Sequence, residues 1–213
     1  MNFEDPLKNK KPNESEVINR KKAWDKDLEL DLVSVGMSVA REDANNYLDD
    51  IKRHIGNKEN YLGEGGVGIV FRLGSESGIC IKIIANRHES SNANIMNLGN
   101  DVDQEVKFLL DLESLEVDGV SATRCLAYFR GRDYNAIVME ELNAVNLRDV
   151  LAGIAKIPSH FNLNKSFAAL EDYINNMQVK RGIVHNDLEA RNLMIDSSGC
   201  FRVIDYGRAF YER

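Results

Sequence analysis

Cysteine is scarce in this sequence, long apolar runs are absent and positive charge is not in excess, and each absence excludes a class of protein. The three cysteines, Cys80, Cys125 and Cys200, have no metal-ligand spacing and two lie in apolar runs, so we expect buried, reduced thiols. No run of about eighteen apolar residues is present, so no membrane span is predicted. Residues 1–15 also lack the apolar segment of a secretory signal.

The charge balance is acidic, with 34 Asp and Glu against 27 Lys and Arg and a net charge of −7. A chain of this kind has no general affinity for nucleic acid, and a polyanionic ligand would need a local positive site. We therefore expect a cytoplasmic protein that binds no nucleic acid. Delivery into a host cell by a bacterial secretion system would leave no trace in these patterns.

Apolar periodicity predicts both helices and strands. Residues 1–20 are polar and predict a flexible arm, and a weak alternation over 28–39 fits a strand or a helix. Helical patterns run over about 42–55, ending at Gly56, over 101–112, capped by Asn100 or Asp101, and over 146–154 and 166–180. Strand patterns run over 61–73, 78–84, 124–131 and 135–142, and a last hairpin joins 192–196 to 201–207.

A glycine-rich stretch lies between two strand halves. It contains Gly63, Gly65, Gly66 and Gly68, followed by Val70. Glycines at these positions would let the backbone approach phosphate oxygens and present N–H donors to them. A plain flexible turn explains the same residues equally well. A dinucleotide-binding fingerprint is disfavoured, because a strand rather than a helix follows the glycines.

Lys82 and Glu105 are two charged residues inside apolar patterns. Lys82 lies in "ICIKII" on the same strand face as Cys80, so it is either an edge lysine or a lysine paired with an anion. Glu105 lies beside the apolar stripe of the helix that follows and is a candidate partner for Lys82. Taken singly, Glu105 is more simply interpreted as a solvated helix residue.

The stretch "GIVHNDLEARNLMID" places His185, Asp187 and Asn192 in one loop, and Asp205 follows the next strand. Two carboxylates and an amide form a hard-oxygen set suited to Mg²⁺, with one carboxylate left to orient an acceptor hydroxyl. Taken singly, Asp187, Asn192 and Asp205 are each explained equally well as turn residues, since Asp and Asn are common in loops. For His185 we expect a packed scaffold histidine rather than a base.

Together, and in this order, these stretches resemble the protein-kinase-like superfamily. "GEGGVGIV" is similar to its glycine-rich loop, "ICIK" to its VAIK strand and "QEVKFL" to the helix, called αC, that supplies Glu105. "AIVMEEL" resembles the strand before the hinge, with Met139 as gatekeeper and Glu140 to Leu142 as the segment whose backbone holds adenine. "VHNDLEARN" resembles HRDLxxxxN, and "DYG" resembles DFG.

The resemblance implies a bilobal α+β fold, with a complete antiparallel N-lobe sheet, an αC helix and a reduced, mostly helical C-lobe. The expected organisation is an extension at 1–57, an N-lobe with hinge at 58–142 and a C-lobe at 143–213 that ends just after the DFG-like motif.

The resemblance also implies an ATP- and Mg²⁺-dependent phosphotransferase. Lys82, held by Glu105, would bind the α and β phosphates. Gly63, Gly65, Gly66, Gly68, Val70 and Cys80 would complete the nucleotide site, together with Met139 and the hinge. Asn192 and Asp205 would hold Mg²⁺, and Asp187 would accept the proton of the substrate hydroxyl.

Departures from the family pattern leave the substrate open. Asn186 replaces an arginine, Glu189 stands where a phosphate-contacting lysine is usual, and six residues follow Gly207, so the peptide-docking helices are missing. We expect an atypical protein kinase acting on Ser, Thr or Tyr of a protein, similar in economy to reduced bacterial effector kinases. The alternatives are a nucleotide-binding pseudokinase with a regulatory protein partner, an aminoglycoside- or sugar-type kinase, and a truncated reading frame.

Overall fold

The computed structural model describes residues 30–55, 57–64, 68–74, 78–85, 102–132 and 134–212. Its strands, in chain order, are β1 (Leu30–Val35), β2 (Tyr61–Glu64), β3 (Ile69–Arg72), β4 (Ile79–Ala85), β5 (Glu116–Val117), β6 (Val120–Ala122), β7 (Cys125–Gly131), β8 (Tyr134–Glu140), β9 (Ala144–Asn146), β10 (Ile183–Val184), β11 (Leu193–Asp196), β12 (Phe201–Val203) and β13 (Phe210–Tyr211). Its α-helices are α1 (Arg41–Ala44), α2 (Asn46–His54), α3 (Val102–Leu112), α4 (Leu147–Leu151) and α5 (Leu163–Arg181).

Contacts between residues divide the chain into two compact units. The first unit is drawn from Met1–Val35, Val39–Ala93 and Ala127–Met139. The second is drawn from Gly36–Ser38, Asn94–Leu126 and Glu140–Arg213. The last passage of the chain from the first unit to the second falls between Met139, the predicted gatekeeper, and Glu140, the first residue of the predicted hinge.

The first unit is built on a six-stranded sheet in the order β1-β7-β8-β4-β3-β2. Its central strands are buried on both faces, as Ala127, Phe129, Ile137 and Val138 show with 0% exposure each. Apolar, partly β-branched runs of this kind are typical of interior strands. The strand patterns at 61–73, 78–84, 124–131 and 135–142 are confirmed, the first of them as the two antiparallel strands β2 and β3.

The weak alternation at 28–39 is a strand and not a helix. β1 pairs antiparallel with β7, from Leu30 opposite Gly131 to Val35 opposite Ala127. This part of the predicted extension is thus built into the sheet. The helix predicted over 42–55 is divided into α1 and α2 at Asn45, which adjoins a second residue of low helix propensity, Asn46. The predicted cap Gly56 and the arm at 1–20 lie outside the described residues.

The second unit contains helices α3, α4 and α5. Helix α3 confirms the prediction for 101–112, while its expected caps Asn100 and Asp101 lie outside the described residues. Helix α4 is shorter than predicted. It begins after its N-cap Asn146, which accepts the backbone N–H of Arg148 at 2.9 Å, and it ends at Leu151, before Gly153, whose φ of 70° is not helical. Helix α5 confirms the pattern over 166–180 and ends at Gly182, whose φ of 63° is the left-handed conformation of a C-cap.

A five-stranded sheet in the order β5-β6-β12-β11-β9 completes the second unit, together with the separate pair β10-β13. The predicted final hairpin is confirmed by the antiparallel pairing of β11 with β12. Strands β5, β6, β9, β10 and β13 were not predicted, since two or three residues are too few to show a periodicity. Among the residues that the structure describes, no helix is long and apolar enough to cross a membrane.

Candidate active site

The loop predicted to carry the chemistry joins β10 to β11 in the second unit. Within this loop, Asn186 has a left-handed backbone conformation with a φ of 58°. A short polar side chain tolerates this conformation better than a bulky one does. A 3₁₀ turn at Ala190–Asn192 follows and leads directly into β11. The turn brings Asn192 back towards Asp187, although five positions separate the two residues.

His185 is a scaffold residue, as predicted. Its ring is 1% exposed, lies 4.6 Å from the ring of Tyr206, centre to centre, and places Nε2 3.1 Å from the carbonyl oxygen of Ile204. Burial lowers the pKa of His185, so the ring is neutral at physiological pH. The histidine thus joins the loop to the segment that precedes Asp205.

Asp187 is the most heavily bonded carboxylate of the loop. The Nη2 atom of Arg191 lies 3.0 Å from Oδ1 and 3.1 Å from Oδ2, the Nδ2 of Asn192 lies 3.0 Å from Oδ2, and the Nη1 of Arg208 lies 3.3 Å from Oδ1. Burial alone would raise the pKa of Asp187, but the hydrogen bonds and charge of Arg191, with Asn192 and Arg208, outweigh it and hold the pKa below its usual value. The carboxylate is therefore ionised and fixed in direction.

Arg191 and Arg208 are functional candidates that the sequence reasoning missed. Arg191 also pairs with Glu189, at 2.5 Å between Nη1 and Oε2, so the unusual acid of this loop shares the guanidinium that binds Asp187. The hydrogen bond to Asp187 raises the pKa of Arg191 further. No local pattern marked this contact, because Asp187 and Arg191 lie in a loop and a 3₁₀ turn and not on an α-helix, where a four-residue spacing brings side chains together.

Asp205 follows β12 and has a φ of 64°, a conformation that is uncommon outside glycine. The preceding residue, Ile204, donates its N–H to the carbonyl oxygen of Asn192 at 3.0 Å, so the backbones beside the two predicted metal ligands are bonded to each other. The next residue, Tyr206, is fully buried and lies with its hydroxyl 3.2 Å from that of Tyr173. The structure therefore brings Asp187, Asn192 and the Asp205 segment together.

The donors of this site fit a hard divalent cation such as Mg²⁺, which takes carboxylate and amide oxygens. Asn192 donates its amide nitrogen to the backbone oxygen and the carboxylate of Asp187, which leaves its amide oxygen as the group that can face a cation. Within the described parts of the chain, no group of three His, Cys, Asp or Glu residues forms a metal site. Asn192 and Asp205 stay the predicted ligands of Mg²⁺.

Lys82 lies in the first unit on β4, between Ile81 and Ile83. Because β4 has β8 on one side and β3 on the other, the interpretation as an edge lysine is wrong. Lys82 is 9% exposed and Cys80 is 6% exposed, so both are buried. A lysine this deeply buried is rarely found without an anionic partner.

Of the glycine-rich stretch, Gly63 and Gly68 are described, whereas Gly65 and Gly66 lie outside the described residues. A Cβ on Gly68 would lie 2.6 Å from the carbonyl oxygen of Ile83, so a side chain has no space there. A Cβ on Gly63 would meet no described atom within 4 Å. Val70, half-buried, lies opposite Lys82 in the pairing of β3 with β4.

Glu105 lies on α3 in the second unit and is 2% exposed, so it is not a solvated helix residue. The charge of Glu105 acts on the buried thiol of Cys125: burial, with the charges of Glu113 and Glu105, raises the pKa of Cys125 to about 12.

The pairing of Glu105 with Lys82 stays a prediction, because the two residues belong to different units.

The predicted gatekeeper Met139 is buried, with 9% exposure, and the predicted hinge begins at the next residue, Glu140. The carboxylate of Glu140 accepts from the backbone N–H of Arg124 at 2.9 Å and from Nη2 of Arg202 at 2.8 Å. The carbonyl oxygen of Leu142 accepts the N–H of Ala144 at 2.9 Å, which turns the chain into β9.

The fold and the loop are those expected of a kinase-like protein, and comparison with known proteins agrees. The model of the family "Protein kinase domain" matches residues 57–211, so the chain belongs to the protein kinase family. A relative, "Putative serine/threonine-protein kinase/receptor R831" of Acanthamoeba polyphaga mimivirus, is 27% identical over 149 residues, which is 68% of this chain. The chain spans 8% of that relative's length. These findings confirm the predicted α+β kinase fold.

Proposed function

We propose that this chain is an ATP- and Mg²⁺-dependent protein kinase that phosphorylates a Ser, Thr or Tyr hydroxyl of a protein substrate. The observation that carries the proposal is the carboxylate of Asp187, ionised and fixed by Arg191, Asn192 and Arg208. A carboxylate whose pKa is held low is a weak base at neutral pH. It suits a reaction in which the acceptor hydroxyl is oriented and its proton leaves late.

The other residues take the roles that their positions allow. Mg²⁺ would neutralise charge on the phosphates of ATP when it is bound by the oxygens of Asn192 and Asp205. Lys82, buried on β4 and held by Glu105, would bind the α and β phosphates. The backbone around Gly63 and Gly68 would donate N–H groups to the phosphates.

The nucleotide site would extend from this loop over Gly65 and Gly66, with Val70 and Cys80 against the base. Met139 would close its inner end as gatekeeper, and the backbone of Glu140 to Leu142 would bind the adenine edge. In this organisation, residues 58–142 form the nucleotide-binding lobe with its hinge, residues 143–213 form the catalytic lobe and residues 1–57 form the extension.

The experiment is transfer of labelled phosphate from Mg-ATP to a protein mixture and to the chain itself. Asp187→Asn and Lys82→Ala should each lower the transfer rate by about 10²-fold or more, the usual cost of losing such a group. Asp172→Asn and Lys180→Ala, which change the same charges at exposed positions on α5, are matched controls and should leave the rate unchanged. Equal rates in wild type and Asp187→Asn would refute the proposal.

A second candidate is a nucleotide-binding protein without transferase activity. One observation favours it: both carboxylate oxygens of Asp187 already accept from guanidinium groups. Such a protein would show ATP-dependent thermal stabilisation, by mass action, and no labelled acceptor of any kind. The same labelled-ATP assay, run beside a thermal melt, distinguishes the two candidates.

A further inference from the structure

Glu140, the last residue of β8, is fixed both through its backbone and through its side chain. Its backbone N–H donates to the carbonyl oxygen of Arg124 at 3.1 Å, and its carboxylate accepts the N–H of the same residue at 2.9 Å. The Nε of Arg124 also lies 3.1 Å from Oε2 of Glu140. Main chain and side chain of Glu140 are thus both fixed to the residue that precedes β7.

Arg202 provides the second attachment. Its Nη2 lies 2.8 Å from Oε1 of Glu140, and its Nη1 donates to Oγ of Ser121 on the neighbouring strand β6. The side chains of Arg202 and Glu140 are 19% and 13% exposed, so this pair is well shielded from solvent. Shielded, hydrogen-bonded ion pairs fix geometry much better than exposed ones.

Arg202 lies on the strand that leads to a predicted metal ligand. Arg202 lies on β12, and Asp205, the predicted metal ligand, follows it three residues later. Strand β12 is itself fixed in parallel register on β6, with Arg202 opposite Ser121. One guanidinium therefore connects the segment predicted to bind adenine with the strand that delivers the metal ligand.

We propose that Arg202 and the carboxylate of Glu140 are positioning residues that set the backbone of residues 140–142 in the geometry that binds adenine. The proposal rests on the proposed function, because it assumes that ATP is the nucleotide. Neither side chain is required to touch the base. Their effect is on the direction of backbone groups, and small misplacements of such groups cost affinity.

The test uses the whole chain and two probes that report on different ends of the nucleotide. Adenosine reports on the base contact, and inorganic triphosphate with Mg²⁺ reports on the phosphate contact, each by displacement of a fluorescent ATP analogue. Glu140→Gln and Arg202→Met should each weaken adenosine binding about three- to tenfold, the loss expected when one hydrogen bond is misaligned. Triphosphate binding should stay unchanged, because the pairing of β12 with β6 and β11 still holds the strand before Asp205 in place. The double variant should be no weaker than either single variant, because both break one network.

Controls separate positioning from general destabilisation. Ser166→Ala removes a buried hydrogen bond of 2.8 Å to the carbonyl oxygen of Gly199 in the same unit, and it should lower the melting temperature without changing either affinity. Arg124→Gln removes a contact of a half-exposed side chain, so it is a milder variant that should fold and weaken adenosine by a smaller factor. Arg202→Lys should restore part of the loss, since it keeps the charge.

Three results would overturn the inference. Equal weakening of both probes would show that the network is only structural. An unchanged adenosine affinity in variants of a wild type that binds ATP would refute this inference alone. A wild type that binds neither adenosine, triphosphate nor ATP would refute the proposed function and the inference with it.

Discussion

Gly68 gives the sharpest test of the nucleotide loop, because Gly63 in the same stretch is a matched control. A Cβ on Gly68 would lie 2.6 Å from the carbonyl oxygen of Ile83 and 2.9 Å from Cγ1 of Ile84. The nearest atom is backbone, in a strand with neighbours on both sides, so it cannot move aside alone. The Gly68→Ala substitution must therefore shift β3 against β4.

Overpacking of this kind costs about 1–3 kcal/mol. For a chain of this length, that free energy corresponds to a fall in melting temperature of about 2–12 °C. The Gly63→Ala substitution should cost nothing and can stabilise by about 0.4–1 kcal/mol, since it only restricts the unfolded chain. Gly68→Ser carries the same Cβ and should be at least as destabilising as Gly68→Ala.

The assay is urea unfolding followed by circular dichroism, with midpoints compared at a common slope. Gly68→Ala should unfold at a clearly lower urea concentration than wild type, and Gly63→Ala should not. Equal midpoints for the two alanine variants would refute the close approach of residue 68 to Ile83, and with it the argument that this position accepts only glycine.

Three further predictions concern the second unit. Arg191→Ala should move the acidic limb of the pH–rate profile to higher pH, because the pKa of Asp187 is depressed mainly by this arginine. In the wild type, the ion pair of Arg191 with Asp187 stabilises the fold at neutral pH, and this stabilisation should be lost as the pH falls through the depressed pKa of Asp187. An unmoved limb would contradict this, and Arg191→Lys should lie between. Tyr211→Phe should lower the free energy of unfolding in urea by about 1 kcal/mol, since it deletes the hydrogen bond from the hydroxyl to Asp111 of α3 and keeps the ring. An unchanged midpoint would contradict this prediction. Iodoacetamide at pH 8 should label half-buried Cys200 in the native protein, and Cys125, with its pKa raised to about 12, only after unfolding, as read by mass spectrometry; early labelling of Cys125 would refute its burial.

The elements that the sequence predicted well are the ones with long, regular patterns. Helices α3 and α5 and strands β7 and β8 each extend over seven residues or more, so their periodicity is visible without any knowledge of their neighbours. The short strands β5, β9 and β13 were missed for the opposite reason. Two or three residues become a strand only because a partner strand supplies their hydrogen bonds.

In the candidate site too, residues that lie close together in the chain could be predicted and contacts between distant residues could not. His185, Asp187 and Asn192 could be predicted, because they share one loop and their residue types at that spacing already point to a hydroxyl and a cation. The role of Arg208 could not be predicted. Twenty-one positions separate it from Asp187, and its exposed side chain looks like any surface arginine until the chain folds back.

The sequence by itself determined the family, since each motif is a short local stretch and the order of the motifs can be read without knowledge of the fold. Only the tertiary structure decided what surrounds each motif residue: that Lys82 is interior and not on an edge, and that Asp187 is held between two arginines. It also decided that Glu140 is fixed by Arg202, 62 positions away. The physical reason is that a catalytic motif needs particular residue types close together in the chain. A supporting ion pair needs only opposite charges at the same place in the fold, and nothing in the local sequence marks it.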